Sequence, residues 1–464
     1  MIPPFVKKFD FRGIYNHDLY DSDAFHLGIA IAKVVEIKKV LIGWDTRVSS
    51  RNLALSFIQA LEGKNIEICY IDTCSIDFIT ASANASDFDF SVMFTGSHNP
   101  WNWTGLLMHT KGGESISGDL VKKLIEKYYE SKSIEFEKGN IDLSQFKNYT
   151  DKAESIISEK IRTLIPVEKI KDMKVAVDIG NGSGFKSLAI LEKILPQVLF
   201  HHINDAHVYD DKAPHTADPS NIKNMRDLMG AVKNEEFSCG FAFDSDADRV
   251  LAIDENGDYL EGSVLGSAHV QVFAELFNDL KIGYAVDCGP SVYNAVGQIN
   301  QEEARSLSAA PIPVGRSVVR EMVHAGKIDF GVENVGHFYT KEFFGTDSGI
   351  FSIVIILYWM SRYGELSKIK TKYLEGARDQ IFSPASSGDK SDELMEKIRA
   401  HFSTLANKKI EVDGIRYEFF KDDKMFAWCA VRKSGYEEIY KYYFGSIDEL
   451  EFKAMEVIFQ SALP

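Results

Sequence analysis

The chain has 464 residues, 45% hydrophobic and 26% charged, which is enough apolar material for several cores and about three or four domains. Its formal net charge of -16 (52 Lys+Arg against 68 Asp+Glu) excludes broad nucleic-acid binding, which needs a basic face. No run of ~20 apolar residues predicts a membrane span, and Cys69, Cys74, Cys239, Cys288 and Cys429, at no metal-site spacing, read as reduced residues of a cytoplasmic protein.

In chain order, the opening residues 1–8 carry no apolar core of signal-peptide length. A helix end precedes the strand Lys38-Lys39-Val40-Leu41-Ile42-Gly43, followed by a loop over 43–50, a helix over 52–61 and strands over 66–71 and 90–94. Alternating strands and helices predict parallel α/β architecture. After the strand at 90–94 comes Thr95-Gly96-Ser97-His98-Asn99-Pro100, placed past a strand's carboxyl end, where open α/β sheets bind ligands. The same six residues are also good turn chemistry. A helix over 118–129 then gives way to a polar stretch at 131–148, with a boundary near Asn140.

A second series begins with the strand 174–178 and the turn Gly180-Asn181-Gly182-Ser183-Gly184, which reads as a phosphate loop or as a tight structural turn. The strand Gly240-Phe241-Ala242-Phe243 then leads into Asp244-Ser245-Asp246-Ala247-Asp248-Arg249 and a further strand at 250–253. Aspartates at every second position crowd repelling carboxylates together. Oxygen donors alone, without thiol or imidazole, favour Mg²⁺ as the compensating cation. A solvated acidic turn is one alternative. A helix-loop-helix Ca²⁺ loop is another, but Arg249 takes the place of its required glycine and the flanks read as strands.

A third series runs from residue 262 through Tyr284-Ala285-Val286-Asp287 to the loop Pro313-Val314-Gly315-Arg316. It continues through residues 330–337, where Glu333 and His337 flank Gly336, to an apolar helix at 350–360. The remainder changes texture: a helix over 391–405 and strands over 417–420 and 425–431 predict a small α+β domain with an antiparallel sheet. Arg432-Lys433-Ser434-Gly435-Tyr436-Glu437 gathers donors suited to a phosphate.

Taken together and in this order, these stretches resemble the α-D-phosphohexomutases, most of all their bacterial phosphomannomutase/phosphoglucomutase branch, over nearly the whole chain. Phe9-Asp10-Phe11-Arg12-Gly13 is similar to a Tyr-Asp-Ile-Arg-Gly loop, and residues 43–50 to Gly-x-Asp-x-Arg-x-Ser-Ser. Residues 95–100 are similar to the phosphoserine loop, 244–249 to an Asp-Gly-Asp-Ala-Asp-Arg metal loop, 332–337 to a sugar loop and 432–443 to a phosphate loop.

The resemblance implies three related α/β domains (1–141, 142–256 and 257–368) and a smaller C-terminal α+β domain (369–464) around a central active-site cleft. It implies interconversion of hexose 1-phosphate and hexose 6-phosphate, of mannose or glucose, through a hexose 1,6-bisphosphate. Ser97 carries the phosphoryl group and, with Asp244, Asp246 and Asp248, holds Mg²⁺. Arg249, His98 and Arg12 complete the catalytic set; Arg47, Arg316, Glu333, His337, Arg432, Ser434, Gly435 and Lys441 bind substrate. The partner implied is a small phosphosugar, with no nucleic acid or membrane, and the assembly a monomer or weak dimer.

Four departures from the pattern stand out. Leu107 replaces the lysine expected after the serine loop, Val335 the serine of the sugar loop, Arg316 a histidine, and Tyr436 a threonine. The altered proton-transfer and sugar-reading positions keep two alternatives open: a weakly active or non-catalytic phosphosugar-binding paralogue, and a metal-dependent sugar phosphatase.

Overall fold

The structure, a computed structural model, describes residues 3–6, 11–116, 118–373, 378–382, 391–433 and 440–462. It divides into two compact units, one of Met1–Val250 with Thr346–Val354 and one of Leu251–Gly345 with Ile355–Pro464. The fold is mixed α/β: three α/β/α domains and a C-terminal antiparallel sheet domain. Among the described residues no helix is long and apolar enough to cross a membrane. All five cysteines are buried and free.

In the first unit, the strand Lys39–Trp44 lies between Glu67–Ile71 and Phe90–Phe94, parallel to both. Helices on the sheet faces bury these strands from both sides, which is why they read as continuous apolar runs rather than alternating ones. The helices Asp21–Val34 and Val48–Leu61 pack together closely at Gly28, where an added Cβ would stand 2.7 Å from Ala60 Cβ. Register pairs Trp44 with Phe94, and the Asp45 amide donates to the Phe94 carbonyl at 2.9 Å, so residue 45 and the serine loop leave the sheet side by side.

Beyond that loop the chain turns back as the strand Trp103–Thr110, antiparallel to Phe90–Phe94 with Leu106 opposite Phe94. The sequence reading assigned no element here. Its signal is a short alternation in which Leu106 and Met108 are buried while Leu107 is half-buried. The strand Lys147–Asn148 then joins the edge at Glu67–Ile71, past the boundary expected at 141. In the same unit, Met173–Asp178 lies between Val198–Ile203 and Cys239–Phe243, all parallel, which brings residues 179–184 and 244–249 to one sheet edge.

In the second unit, Lys281–Ala285 lies between Ser308–Ile312 and Phe330–Val332, all parallel, and Phe338–Thr340 runs antiparallel to Phe330–Val332. Asp287, Gly315 and Glu333 therefore follow neighbouring strand ends. The C-terminal sheet is antiparallel throughout: Arg378–Phe382, Tyr440–Ser446, Lys424–Lys433, Ile415–Lys421 and Ala406–Ile410, in spatial order.

Arg416 ties this sheet to the parallel one. Its Nη1 donates to the Val286 and Cys288 carbonyls at 3.0 and 2.9 Å, its Nε donates to Glu418 Oε1 at 2.8 Å, and its guanidinium lies 4.4 Å from the Trp428 ring centroid. Tyr284 OH also donates to Glu418 Oε1, at 2.7 Å.

Candidate active site

Ser97 sits at the tip of the hairpin between Phe90–Phe94 and Trp103–Thr110, in the left-handed region with φ 48°. Its Oγ is 3.2 Å from Asp244 Oδ2 and 3.3 Å from His98 Nδ1. The Ser97 amide donates to Thr95 Oγ1 at 2.8 Å, and that hydroxyl stands 2.9 Å from both Asp45 Oδ2 and Asp246 Oδ2. Two loops that meet only through the fold are thus brought together within one unit.

Asp244, Asp246 and Asp248 are all buried, and one carboxylate oxygen from each lies within 4.8 Å of the others. Burial first, then Asp248 and Asp246, pushes the Asp244 carboxyl well above the usual carboxylate range. Burial, Asp248 and Asp45 push Asp246 up to about 7, while Thr95 and Arg12 pull it back. Asp246 Oδ1 is buried with no hydrogen-bond partner. A crowded, all-oxygen donor set with an orphaned carboxylate oxygen fits a small hard cation such as Mg²⁺.

The Gly-rich turn proves to be a support for this loop. The amides of Gly180, Asn181, Gly182 and Ser183 donate to Asp178 Oδ1 and to the carbonyls of Asn204, Ile179 and Ser245, which leaves none of them to cradle a phosphate. From the other side, the Ile76 amide donates to the Asp246 carbonyl at 2.9 Å.

The three arginines expected here are placed differently. Arg249 lies beside Asp244, with Nε 3.8 Å from Oδ2 and its own amide donating to Oδ1 at 3.2 Å. Arg12 is buried on the strand paired with Gly105, close enough to bias Asp246. Arg47, expected to bind substrate, is held by the loops around it. It is 1% exposed, and its guanidinium is committed to Asp45, to Ser245 Oγ at 2.8 Å, and to the Ser97 and Asn99 carbonyls at 2.7 Å each. Lys111 is exposed and paired with Asp87 at 2.7 Å, past the end of the returning strand, so it does not stand in for the lysine missing at Leu107.

In the second unit, Glu333 is buried and accepts from the Gly315 amide at 2.5 Å and from Tyr339 OH at 3.1 Å, while His337 Nε2 lies 4.0 Å from its Oε2. Arg316 opens the helix Arg316–His324 directly after Gly315. Arg432 Nε donates to Asp413 Oδ2 at 2.8 Å, and half-buried Lys441 lies opposite Arg432 in the sheet. Ser434 and Gly435, and Tyr436 beside them, lie outside the described residues, as do Phe9 and Asp10 of the N-terminal loop.

Sequence reading missed two carboxylates. Asp413 also accepts from the Val314 amide, at 3.3 Å, and so bridges two loops. Asp287 is 3% exposed and pushed up to about 6 by burial and then by Glu333. Asp287 was visible as an acidic residue just past an apolar strand, but nothing local linked it to Glu333.

Comparison with known proteins identifies the family and the fold. Residues 5–135, 147–257 and 295–375 match the phosphoglucomutase/phosphomannomutase α/β/α domains I, II and III. The phosphomannomutase of Methanocaldococcus jannaschii is 29% identical, covering 88% of this chain and 87% of its own. A phosphoglucomutase/phosphomannomutase family protein of Burkholderia thailandensis shares the fold with a TM-score of 0.79 at 21% identity, over 100% of this chain and 97% of that one. The N-acetylphosphoglucosamine mutase of Aspergillus fumigatus, solved with GlcNAc-6P and magnesium, has a TM-score of 0.54 at 15% identity, over 84% and 92%. Three domain matches in order along the chain, with a like fold over its full length, show that the chain belongs to the α-D-phosphohexomutase superfamily, among the phosphoglucomutase/phosphomannomutase proteins.

Proposed function

We propose that the chain is a hexose-phosphate mutase, an intramolecular phosphotransferase that exchanges the 1- and 6-phosphates of mannose or glucose through a phosphoserine at Ser97. The observation that carries the reading is the Ser97 hydroxyl set 3.2 Å from Asp244 at the edge of three buried carboxylates. The family relationship and the phosphosugar ligand of the Aspergillus enzyme support it.

Asp244, Asp246 and Asp248 would hold Mg²⁺, and the ion would offset the charge that spreads over a phosphoryl group in flight. In the first transfer the Ser97 Oγ–P bond breaks and a bond forms from phosphorus to the free sugar hydroxyl, whose proton passes to a base. His98 Nδ1, 3.3 Å from Ser97 Oγ, is the group we assign to proton transfer, since Leu107 carries none. The resulting hexose 1,6-bisphosphate turns over, and its other phosphate returns to Ser97. Arg249 and Arg12 balance charge beside the aspartates; Glu333, His337 and Arg316 read the sugar; Arg432, Lys441 and the loop containing Ser434 and Gly435 hold the phosphate that does not move. This chemistry suits the reduced, cytoplasmic setting expected from the cysteines.

The test is isomer formation. Purified protein with Mg²⁺ and a trace of hexose 1,6-bisphosphate should convert mannose 1-phosphate or glucose 1-phosphate to the 6-phosphate, and Ser97→Ala should not. Release of free phosphate as the main product would favour the phosphatase reading. Binding without conversion would favour the paralogue.

A further inference from the structure

Ser245 stands where the resembled metal loop carries glycine, and its side chain is completely buried. Its hydroxyl donates to the Ser97 carbonyl at 2.6 Å and accepts from Arg47 Nη1 at 2.8 Å. The Ser97 carbonyl receives a second donor, Arg47 Nη2 at 2.7 Å, and the same nitrogen holds the Asn99 carbonyl. The carbonyls on both sides of residue 98 are therefore pinned.

These contacts explain how a serine can rest at φ 48°, a conformation that L-residues other than asparagine and aspartate seldom hold without support. The brace also dictates its neighbour. A Cβ on Gly96 would stand 2.7 Å from the Arg47 guanidinium carbon, so the loop admits only glycine there if Arg47 is to reach the carbonyls.

Ser245 is itself fixed from behind. Ser183 donates its amide and its hydroxyl to the Ser245 carbonyl at 2.8 and 2.9 Å, and Gly182 packs so closely that a Cβ would stand 2.6 Å from Ser245 Cα. A continuous path of short contacts thus runs from the Gly-rich turn through Ser245 to the backbone of Ser97.

We infer that Ser245 is a positioning residue for phosphoryl transfer: with Arg47 it braces the backbone of Ser97 against the metal loop and so sets the aim of Ser97 Oγ. The inference rests on the mutase reading and assigns Arg47 to the same brace rather than to substrate. Neither residue has to touch the sugar. Its effect should therefore fall on turnover and leave substrate binding alone, because misaiming a nucleophile costs rate in the transition state without changing ground-state contacts.

The test is steady-state kinetics on the full-length protein with Mg²⁺ and hexose bisphosphate, alongside thermal melting and the rate at which the bisphosphate phosphorylates Ser97, read by intact mass. Ser245→Ala should lower kcat and the phosphorylation rate about 10-fold, with KM for the hexose phosphate changed less than about 2-fold. Ser245→Gly, which restores the pattern's residue and cannot misfit, should do the same. Arg47→Lys, which keeps the charge but loses the planar fork, should cost about 100-fold in kcat. The double variant should be less than additive because both act on one carbonyl.

Wild-type kcat in both Ser245 variants, or a loss that appears in KM alone or vanishes when corrected for folded fraction, would overturn the inference while leaving the mutase reading intact. Wild-type protein without turnover removes both.

Discussion

Ser97 Oγ and Asp244 Oδ2 lie 3.2 Å apart although 147 positions separate them in the chain. Neither loop alone is a site. A hydroxyl in a turn is unremarkable, and three crowded carboxylates cost stability until a cation joins them. In the proposed function the two are complementary: the serine would carry the phosphate, and the carboxylates would hold the cation that offsets its charge.

The cost of that crowding is measurable. Asp246→Asn removes one of three repelling, buried carboxylates and should raise the stability of the cation-free protein by about 1–3 kcal/mol, while turnover falls roughly 100-fold or more. Thermal melts with and without Mg²⁺ check it: wild type should gain stability from the ion and the variant much less. Equal Mg²⁺ responses would remove this loop as the metal site.

Leu107 is half-buried on the strand that returns from the serine loop, opposite Met93. A lysine there can lay its methylenes along the strand and keep its ammonium in water. If proton transfer limits this chain, Leu107→Lys should raise kcat about 10-fold, within the range for one positioned acid or base. A fall in kcat at unchanged melting temperature would mean that the chain has rebuilt proton transfer around other groups.

His269 gives the fold a pH dependence of its own. Its ring stacks on Phe338 and Phe330 with centroids 4.4 and 5.4 Å away, and Nδ1–H donates to the Leu265 carbonyl at 2.9 Å. Burial lowers it from 6.5 to about 4, so between those values the unfolded chain binds a proton that the folded one refuses. Stability is full above pH ~6.5 and falls as pH drops toward ~4, by about 3 kcal/mol for this one group. Denaturant titrations at several pH values should show a shallower acid loss in His269→Leu. An unchanged slope would contradict this assignment.

Arg416 and Glu418 are both fully buried, and Arg416 also caps the Val286 and Cys288 carbonyls. Arg416→Met leaves Glu418 without its counter-charge, and should cost about 3–5 kcal/mol. Arg416→Met with Glu418→Gln should recover part of that loss. Denaturant midpoints of the three proteins decide it, and a single variant as stable as wild type would contradict the role given to the pair.

Much of this was legible in the sequence because the parallel strands are buried on both faces and read as apolar runs, as at residues 90–94 and 239–243. The acidic loop was legible because three aspartates at every second position are costly without a cation, whereas the serine loop, ordinary turn chemistry by itself, was legible only alongside that loop and the family resemblance. The returning strand Trp103–Thr110 was not, since only three residues alternate clearly. Arg47 could not be assigned from the sequence: an arginine in a ligand-edge loop looks available, and only the fold shows both of its terminal nitrogens held by the Asp45 carboxylate, the Ser245 hydroxyl and the Ser97 and Asn99 carbonyls. The partnership of Asp287 with Glu333, and of Asp413 with Arg432, likewise depends on which strand ends become neighbours.

The most direct measurement is intact mass of Ser97 and Ser97→Ala proteins before and after brief incubation with hexose 1,6-bisphosphate and Mg²⁺, with the sugar phosphates followed in parallel. The account predicts that wild type gains or retains one phosphoryl group, that the variant carries none, and that only wild type turns hexose 1-phosphate into hexose 6-phosphate. A phosphoryl group on the Ser97→Ala protein, or isomer formed without Ser97, would contradict it.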